Sequence, residues 1–163
     1  MRIISSTACI LGIFLAAGTS AMSQDMARRG AYLVTIMDCG GCHTPGAFLG
    51  KPDSTRPLGG SEVGFHLPGL GIFNPPNLTP HPETGLGKWS EADIVKAIRT
   101  GVRPDGRQLA PVMPWQSYAQ LTDADAKAIA AYLKSLKPVA NQVPAPTGAS
   151  EKARAPHLTV VMP

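Results

Sequence analysis

Apolar side chains recur at helical spacing in three short stretches of this chain, and the stretches lie far apart. Ala27, Gly30, Ala31, Val34 and Met37 share one face of a predicted helix from about Met26 to Met37. A second helix opens at Trp89-Ser90-Glu91-Ala92-Asp93, where Ser90 is placed to cap the free amides, Asp93 to answer from the third helical position and Trp89 to staple onto Ile94. Ile94, Val95 and Ile98 form its apolar edge, and Gly101 stops it. The third helix repeats the device at Leu121-Thr122-Asp123-Ala124-Asp125, with Ala126, Ile129, Ala130, Leu133 and Leu136 in register and Lys137-Pro138 as its close.

The apolar run from Ala8 to Ala17 is of another kind. Arg2 precedes it, Gly18-Thr19-Ser20-Ala21 follow it, and no acid occurs before Asp25. This is the layout of an export leader over residues 1–23, cleaved after Ala21 or Ser23. The run is well short of the roughly 20 residues a membrane span requires, and Cys9 precedes most of it, unlike a lipid-attachment cysteine. The expectation is a periplasmic protein of bacterial type with no span after cleavage.

Between the first two helices the pattern is lost. Residues 44–88 hold eight prolines and nine glycines among 45 positions, with no strand alternation and no helical stripe. Such a loop is uncommon in a compact domain unless it is functional. Phe48, Leu58, Phe65, Leu67, Leu70, Ile72, Phe73 and Leu78 argue against disorder, so the segment is expected to wrap around something apolar. Residues 24–138 thus read as one domain, followed by a Pro- and Ala-rich tail, 139–163, lying extended over its surface.

The net charge of +4 is scattered and aromatic residues make up only 6% of the chain, which disfavours nucleic-acid binding. One local excess, Lys96, Arg99, Arg103 and Arg107 against Asp105, is either a solvated face or a docking patch for a redox partner.

What the loop could wrap is indicated by Cys39-Gly40-Gly41-Cys42-His43. The C-x-x-C-H spacing is the attachment signature of haem c: two thiols add to the porphyrin vinyl groups and the adjacent imidazole binds iron. Gly40 and Gly41 keep side chains away from the porphyrin edge. A thioredoxin-like pair would need a strand-helix-strand context, a zinc site a fourth ligand, and a disulfide would leave His43 unexplained.

With His43 on one face of iron, the other face takes a thioether, a second imidazole or nothing. Met113 is the candidate, in the Pro-bounded stretch Ala110-Pro111-Val112-Met113-Pro114-Trp115, whose prolines stiffen the backbone. Met37 is too near the attachment turn to reach the far face. Met26, Met162, His66, His81 and His157 are weaker alternatives.

A helix leading into Cys39-Gly-Gly-Cys42-His43, then Pro75-Pro76-Asn77-Leu78-Thr79-Pro80, Thr84-Gly85-Leu86-Gly87-Lys88-Trp89-Ser90, Met113-Pro114-Trp115 and a last helix together resemble class I cytochrome c domains. More narrowly they resemble the haem domains of cytochrome subunits of periplasmic quinoprotein alcohol dehydrogenases and molybdenum hydroxylases. The likeness covers about Ala27 to Pro138. It implies an all-α class I fold with about three main helices and long loops around one covalent haem. Cys39 and Cys42 would form the thioethers, and His43 and Met113 would be the axial ligands. Asn77 and Thr79 would bind a propionate, Trp89 would pack beside it, and Gly30 would allow a close helix crossing near Tyr132 and Leu133. The implied function is single-electron, outer-sphere transfer between a periplasmic dehydrogenase and the respiratory chain, with no catalytic residues. The alternative is a haem enzyme or gas or redox sensor with an open or displaceable distal ligand. Relatives often carry two or three such motifs; here there is one.

Overall fold

The computed structural model describes residues 11–161, with side chains from residue 22 onward. Residues 1–10 of the expected leader, and Met162, lie outside the described residues.

The sequence predicts three main helices; the described residues hold five, because two are too short to show a period. Helix α1 (Leu11–Ile36) leads into α2 (Cys39–His43), the attachment turn itself. Helix α3 (Glu91–Thr100) has the capping box expected of its sequence: Ser90 Oγ accepts from Asp93 N, and the Asp93 carboxylate accepts from Ser90 N. Gly101 ends it at φ 73°. Helix α4 (Trp115–Tyr118) follows the Met113 turn, and α5 (Asp123–Ser135) is capped by Thr122 through Asp125 N.

The core forms where α1 crosses α5. Leu33, Val34, Ile129, Ala130 and Leu133 are buried there with Ile94 of α3 and with Leu58 and Leu86 from the loop. The crossing is close because Gly30 has no side chain: a Cβ there would come 2.0 Å from Ala128 O and 2.6 Å from Tyr132 Cβ. Arg29 and Asp125 clasp the same pair of helices at 2.8 Å. On the other flank of α5, Lys134 Nζ donates to the carbonyls of Leu86, Gly87 and Trp89 at 3.2, 3.0 and 2.8 Å, fixing the approach to α3.

The structure departs from the all-helical expectation in a three-stranded sheet. Strands β1 (Gly64–Leu67) and β2 (Gly71–Phe73) form a hairpin through Pro68-Gly69, Phe65 opposite Phe73. The tail supplies β3 (His157–Leu158), parallel to β1, giving the order β2-β1-β3. Strands of two to four residues are too short for an alternation to register, and the Pro-Gly signal reads as loop.

Elsewhere the long loop satisfies its polar backbone through side chains and its own turns. Thr44 Oγ1 accepts from Leu58 N, Gly60 N donates to His43 O at 2.7 Å, and Leu78 N to Leu58 O at 2.9 Å. Leu58 takes the left-handed conformation, φ 59°, uncommon for a branched residue, and its side chain enters the core. The tail beyond α5 is latched as well: Asn141 Nδ2 donates to Gly59 O, and Thr147 pairs with Ile72.

Candidate cofactor site

Asp38 starts the attachment turn. Among the described residues it is one of two non-glycine positions with positive φ, at 51°, and its carboxylate accepts from Gly41 N. That carboxylate fills the space over Gly41, where a Cβ would lie 2.3 Å from Oδ2, while a Cβ on Gly40 would meet only Thr44 Oγ1 at 3.6 Å. The first glycine of the motif is therefore permissive and the second is required by the Asp38 cap. Asp38 stands outside the C-x-x-C-H pattern, and its one signal in the sequence is that of an aspartate directly before a short turn, a preferred capping position.

His43 is buried, 6% exposed, and its Nδ1 lies 2.7 Å from Pro76 O. A carbonyl can only accept, so Nδ1 carries the proton and Nε2 is left with its lone pair for a metal. Burial pulls the His43 pKa down and the Pro76 hydrogen bond partly opposes it, which keeps the imidazole neutral as a ligand must be. Cys39 and Cys42 are not disulfide-bonded. Burial pushes the Cys39 thiol up to about 11, with Asp38 and Cys42 adding to it, and raises Cys42 in the same direction. Both shifts oppose the ready thiolate formation that a reactive redox pair needs. Among the described residues no group of three or more His, Cys, Asp or Glu side chains converges as a metal cluster does. Two unpaired thiols and an oriented imidazole beside a buried loop fit a covalently held haem.

Met113 is half-buried in a tight turn, its N donating to Ala110 O at 2.9 Å and its O accepting from Trp115 N at 2.8 Å. Helix α4 follows this turn directly and packs against α3. Tyr118 on α4 has its phenol pushed up by burial, with Cys39, Cys42 and Asp38 adding to the shift. The Trp115 ring packs against Gly101, a contact that periodicity could not find in a four-residue helix.

Other expected site residues have different partners. Asn77 and Thr79, each 1% exposed, have their side-chain donors bonded within the chain. Asn77 Nδ2 donates to Thr84 Oγ1 and Val139 O, and Asn77 Oδ1 accepts from Thr79 N and Oγ1. Thr79 Oγ1 accepts from Val139 N at 3.0 Å, so the pair ties the loop to the tail. Trp89 is half-buried against the core, with the Arg103 guanidinium 5.2 Å from its ring centroid. In the basic cluster, Arg99 pairs with Asp123 and Arg103 with Asp105, while Lys96 and Arg107 have no carboxylate within salt-bridge distance among the described residues. His66, His81 and His157 have local partners: Thr159 Oγ1, the Thr84 amide and hydroxyl, and Ala155 O. Among the described residues no helix is long and apolar enough to cross a membrane.

Comparison with known proteins agrees with this geometry. The family model described as cytochrome c matches residues 27–137. A nicotinate dehydrogenase subunit of Pseudomonas putida is 38% identical over 128 residues, covering 78% of this chain and 10% of that protein. The cytochrome c subunit of the quinone alcohol dehydrogenase of Gluconobacter oxydans is 35% identical over 144 residues, 85% of this chain and 28% of the relative. The fructose dehydrogenase cytochrome subunit of Gluconobacter japonicus is 38% identical over 112 residues, 68% of this chain and 21% of the relative. The chain thus spans less than a third of each of these relatives.

Proposed function

The chain belongs to the cytochrome c family, and we propose that it is a monohaem electron carrier, of class I fold, with His43 and Met113 as axial ligands. The observation that carries this reading is the His43 Nδ1 to Pro76 O contact of 2.7 Å, which points the basic nitrogen of a neutral imidazole away from the protein backbone. Bound to these residues, the haem iron supplies a one-electron ferric–ferrous couple.

The remaining work falls to the chain. Cys39 and Cys42 hold the porphyrin by thioether bonds, the motif occurring once in this sequence. The Asp38 cap fixes the turn that presents both sulfurs. Pro76 fixes the imidazole orientation, and the soft thioether of Met113 favours ferrous iron and raises the potential relative to a second imidazole. Trp89 packs beside the porphyrin, backed by Arg103. Two strong ligands leave no position for oxygen or peroxide, so the chemistry is outer-sphere transfer and not catalysis. The relatives' names place such domains with dehydrogenases of alcohols, sugars and nicotinate. A periplasmic dehydrogenase as donor and a respiratory-chain component as acceptor follow for this chain, with Lys96 and Arg107 available to steer docking.

Met113→Ala tests the assignment. The ferric wild type is expected to show the near-infrared charge-transfer band of methionine-ligated haem, and the variant to lose it and to bind carbon monoxide readily when reduced. A band that survives the substitution removes Met113 from the iron. Rapid carbon monoxide binding by the reduced wild type would favour the enzyme or sensor reading.

A further inference from the structure

His43 is held on two sides by the long loop: its Nδ1 donates to Pro76 O at 2.7 Å, and its own carbonyl accepts from Gly60 N at 2.7 Å. The tail reaches the residue next to each of these contacts. Asn77 Nδ2 donates to Val139 O at 2.7 Å, and Asn141 Nδ2 donates to Gly59 O at 2.8 Å. Thr84 Oγ1 joins the two arms, accepting from Asn141 N and from Asn77 Nδ2, each at 3.2 Å. Residues 139–141 lie beyond the match to the family model, which ends at 137.

The three segments meet at Gly60, where φ is 94° and a Cβ would stand 2.4 Å from Val143 Cγ1, 2.9 Å from Asn77 N and 3.2 Å from Pro76 C. Ser61 N donates to Pro75 O at 3.0 Å, closing the loop on itself at the same place. This packing bears on His43 through one torsion. The pyrrolidine ring fixes φ of Pro76, so ψ sets the direction of its carbonyl, and the planar peptide carries Asn77 N with that rotation. Anchoring Asn77 therefore aims the Pro76 oxygen. Asn77 is 1% exposed, and its side-chain oxygen and nitrogen are both bonded, to Thr79, Thr84 and Val139. A tail that served stability alone could fasten anywhere on the surface; this one fastens on the neighbours of both His43 contacts.

We propose that Val139–Asn141 is a positioning element for the proximal ligand: by anchoring Asn77 and Gly59 it holds the Pro76 carbonyl on the His43 Nδ1–H. This rests on the reading of His43 as an axial ligand. A hydrogen bond from Nδ1–H to a carbonyl raises the basicity of the imidazole, and a more basic imidazole favours the iron state of higher charge. A tight clamp therefore lowers the reduction potential, and a slack one raises it. Asn141 acts through Gly59 and Thr84, touching neither His43 nor the haem attachment turn.

The test uses the holoprotein with Asn141→Ala, which removes the bond to Gly59 O and the one accepted from Arg56 Nη1 at 3.3 Å but keeps the backbone bond to Thr84. The midpoint potential should rise. In the diamagnetic ferrous protein the His43 Nδ1–H resonance should move upfield and exchange faster with solvent. Thr84→Val, which takes the shared acceptor from both arms, should shift both readouts in the same direction. Gln142→Ala, whose side chain bonds only to Val143 O, should shift neither. In the unaltered protein, the side-chain amide protons of Asn77 and Asn141 should be protected from exchange together with His43 Nδ1–H. A potential and an Nδ1–H resonance unchanged in both variants overturn the proposal, even if melting temperature falls, and so does free exchange of the Asn141 amide beside a protected His43. Those outcomes leave the ligand assignment intact; a wild type whose His43 ring protons show no haem ring-current shift removes the assignment and the clamp with it.

Discussion

Replacing Gly30 by alanine should destabilise the protein although alanine is the better helix former. The added Cβ would stand 2.0 Å from Ala128 O, 2.6 Å from Ala128 C and 2.6 Å from Tyr132 Cβ, against a practical minimum of 3.0 Å, and two of those atoms are backbone that no rotamer change can move. Helices α1 and α5 must separate by about 1 Å. A gap of that size forfeits roughly a quarter to a half of the dispersion attraction across it. The packing it weakens is the centre of the core, where Leu33 and Val34 face Ile129 and Leu133. Overpacking of this kind costs about 1–3 kcal/mol, with the upper end applying where the clash is with backbone, and the helix-propensity gain of about 1 kcal/mol offsets part of that about 3, leaving a net destabilisation of about 2 kcal/mol. For a chain of this size that lowers Tm by about 6 °C, read from holoprotein melting by circular dichroism. Gly40→Ala, where a Cβ meets only Thr44 Oγ1 at 3.6 Å, should melt near the wild type. A Gly30→Ala protein as stable as the wild type, or more so, would refute the close crossing.

Two further outcomes follow from the loop. Thr79→Val keeps the shape but leaves the Val139 amide and Asn77 Oδ1 each short of a partner, so unfolding free energy should fall by about 1–3 kcal/mol and protease should cut first within residues 139–161; an unchanged digestion pattern would contradict the latch. Asp53 accepts from the Thr55 hydroxyl, Arg56 and the Thr55 amide, which hold its carboxyl at about 2 against an ordinary 3.8. A depressed carboxyl stabilises the folded state fully above its unfolded value, and that contribution is lost as pH falls from about 4 towards 2. Asp53→Asn should therefore flatten the acid limb of the stability profile in that window, and an unaltered limb would remove Asp53 from it.

What could be read along the chain was local. The Ser90–Asp93 box, the Thr122 cap and the Gly101 stop each involve residues within a few positions, and Cys39, Cys42 and His43 announce their chemistry by spacing alone. Gly30 was legible through the family resemblance. The partner of His43 was not, because Pro76 lies 33 positions away and any loop carbonyl could have served. Asn77 and Thr79 sit on the stiff loop as expected, and what the motif did not show is that their polar atoms reach 62 and 60 positions forward to Val139. The hairpin from Gly64 to Phe73 and the strand His157–Leu158 depend on each other across the fold, and neither has enough residues to show a period by itself.

The intact mass of the protein, produced in a bacterium that matures c-type cytochromes, decides whether the chain carries a covalent haem. Thioether formation adds each thiol across a vinyl group with no atom lost, so the expected product is a chain heavier by one whole haem that resists denaturant extraction, with Cys39 and Cys42 inaccessible to alkylation. A chain of unmodified mass, with both thiols alkylated after unfolding, would contradict it.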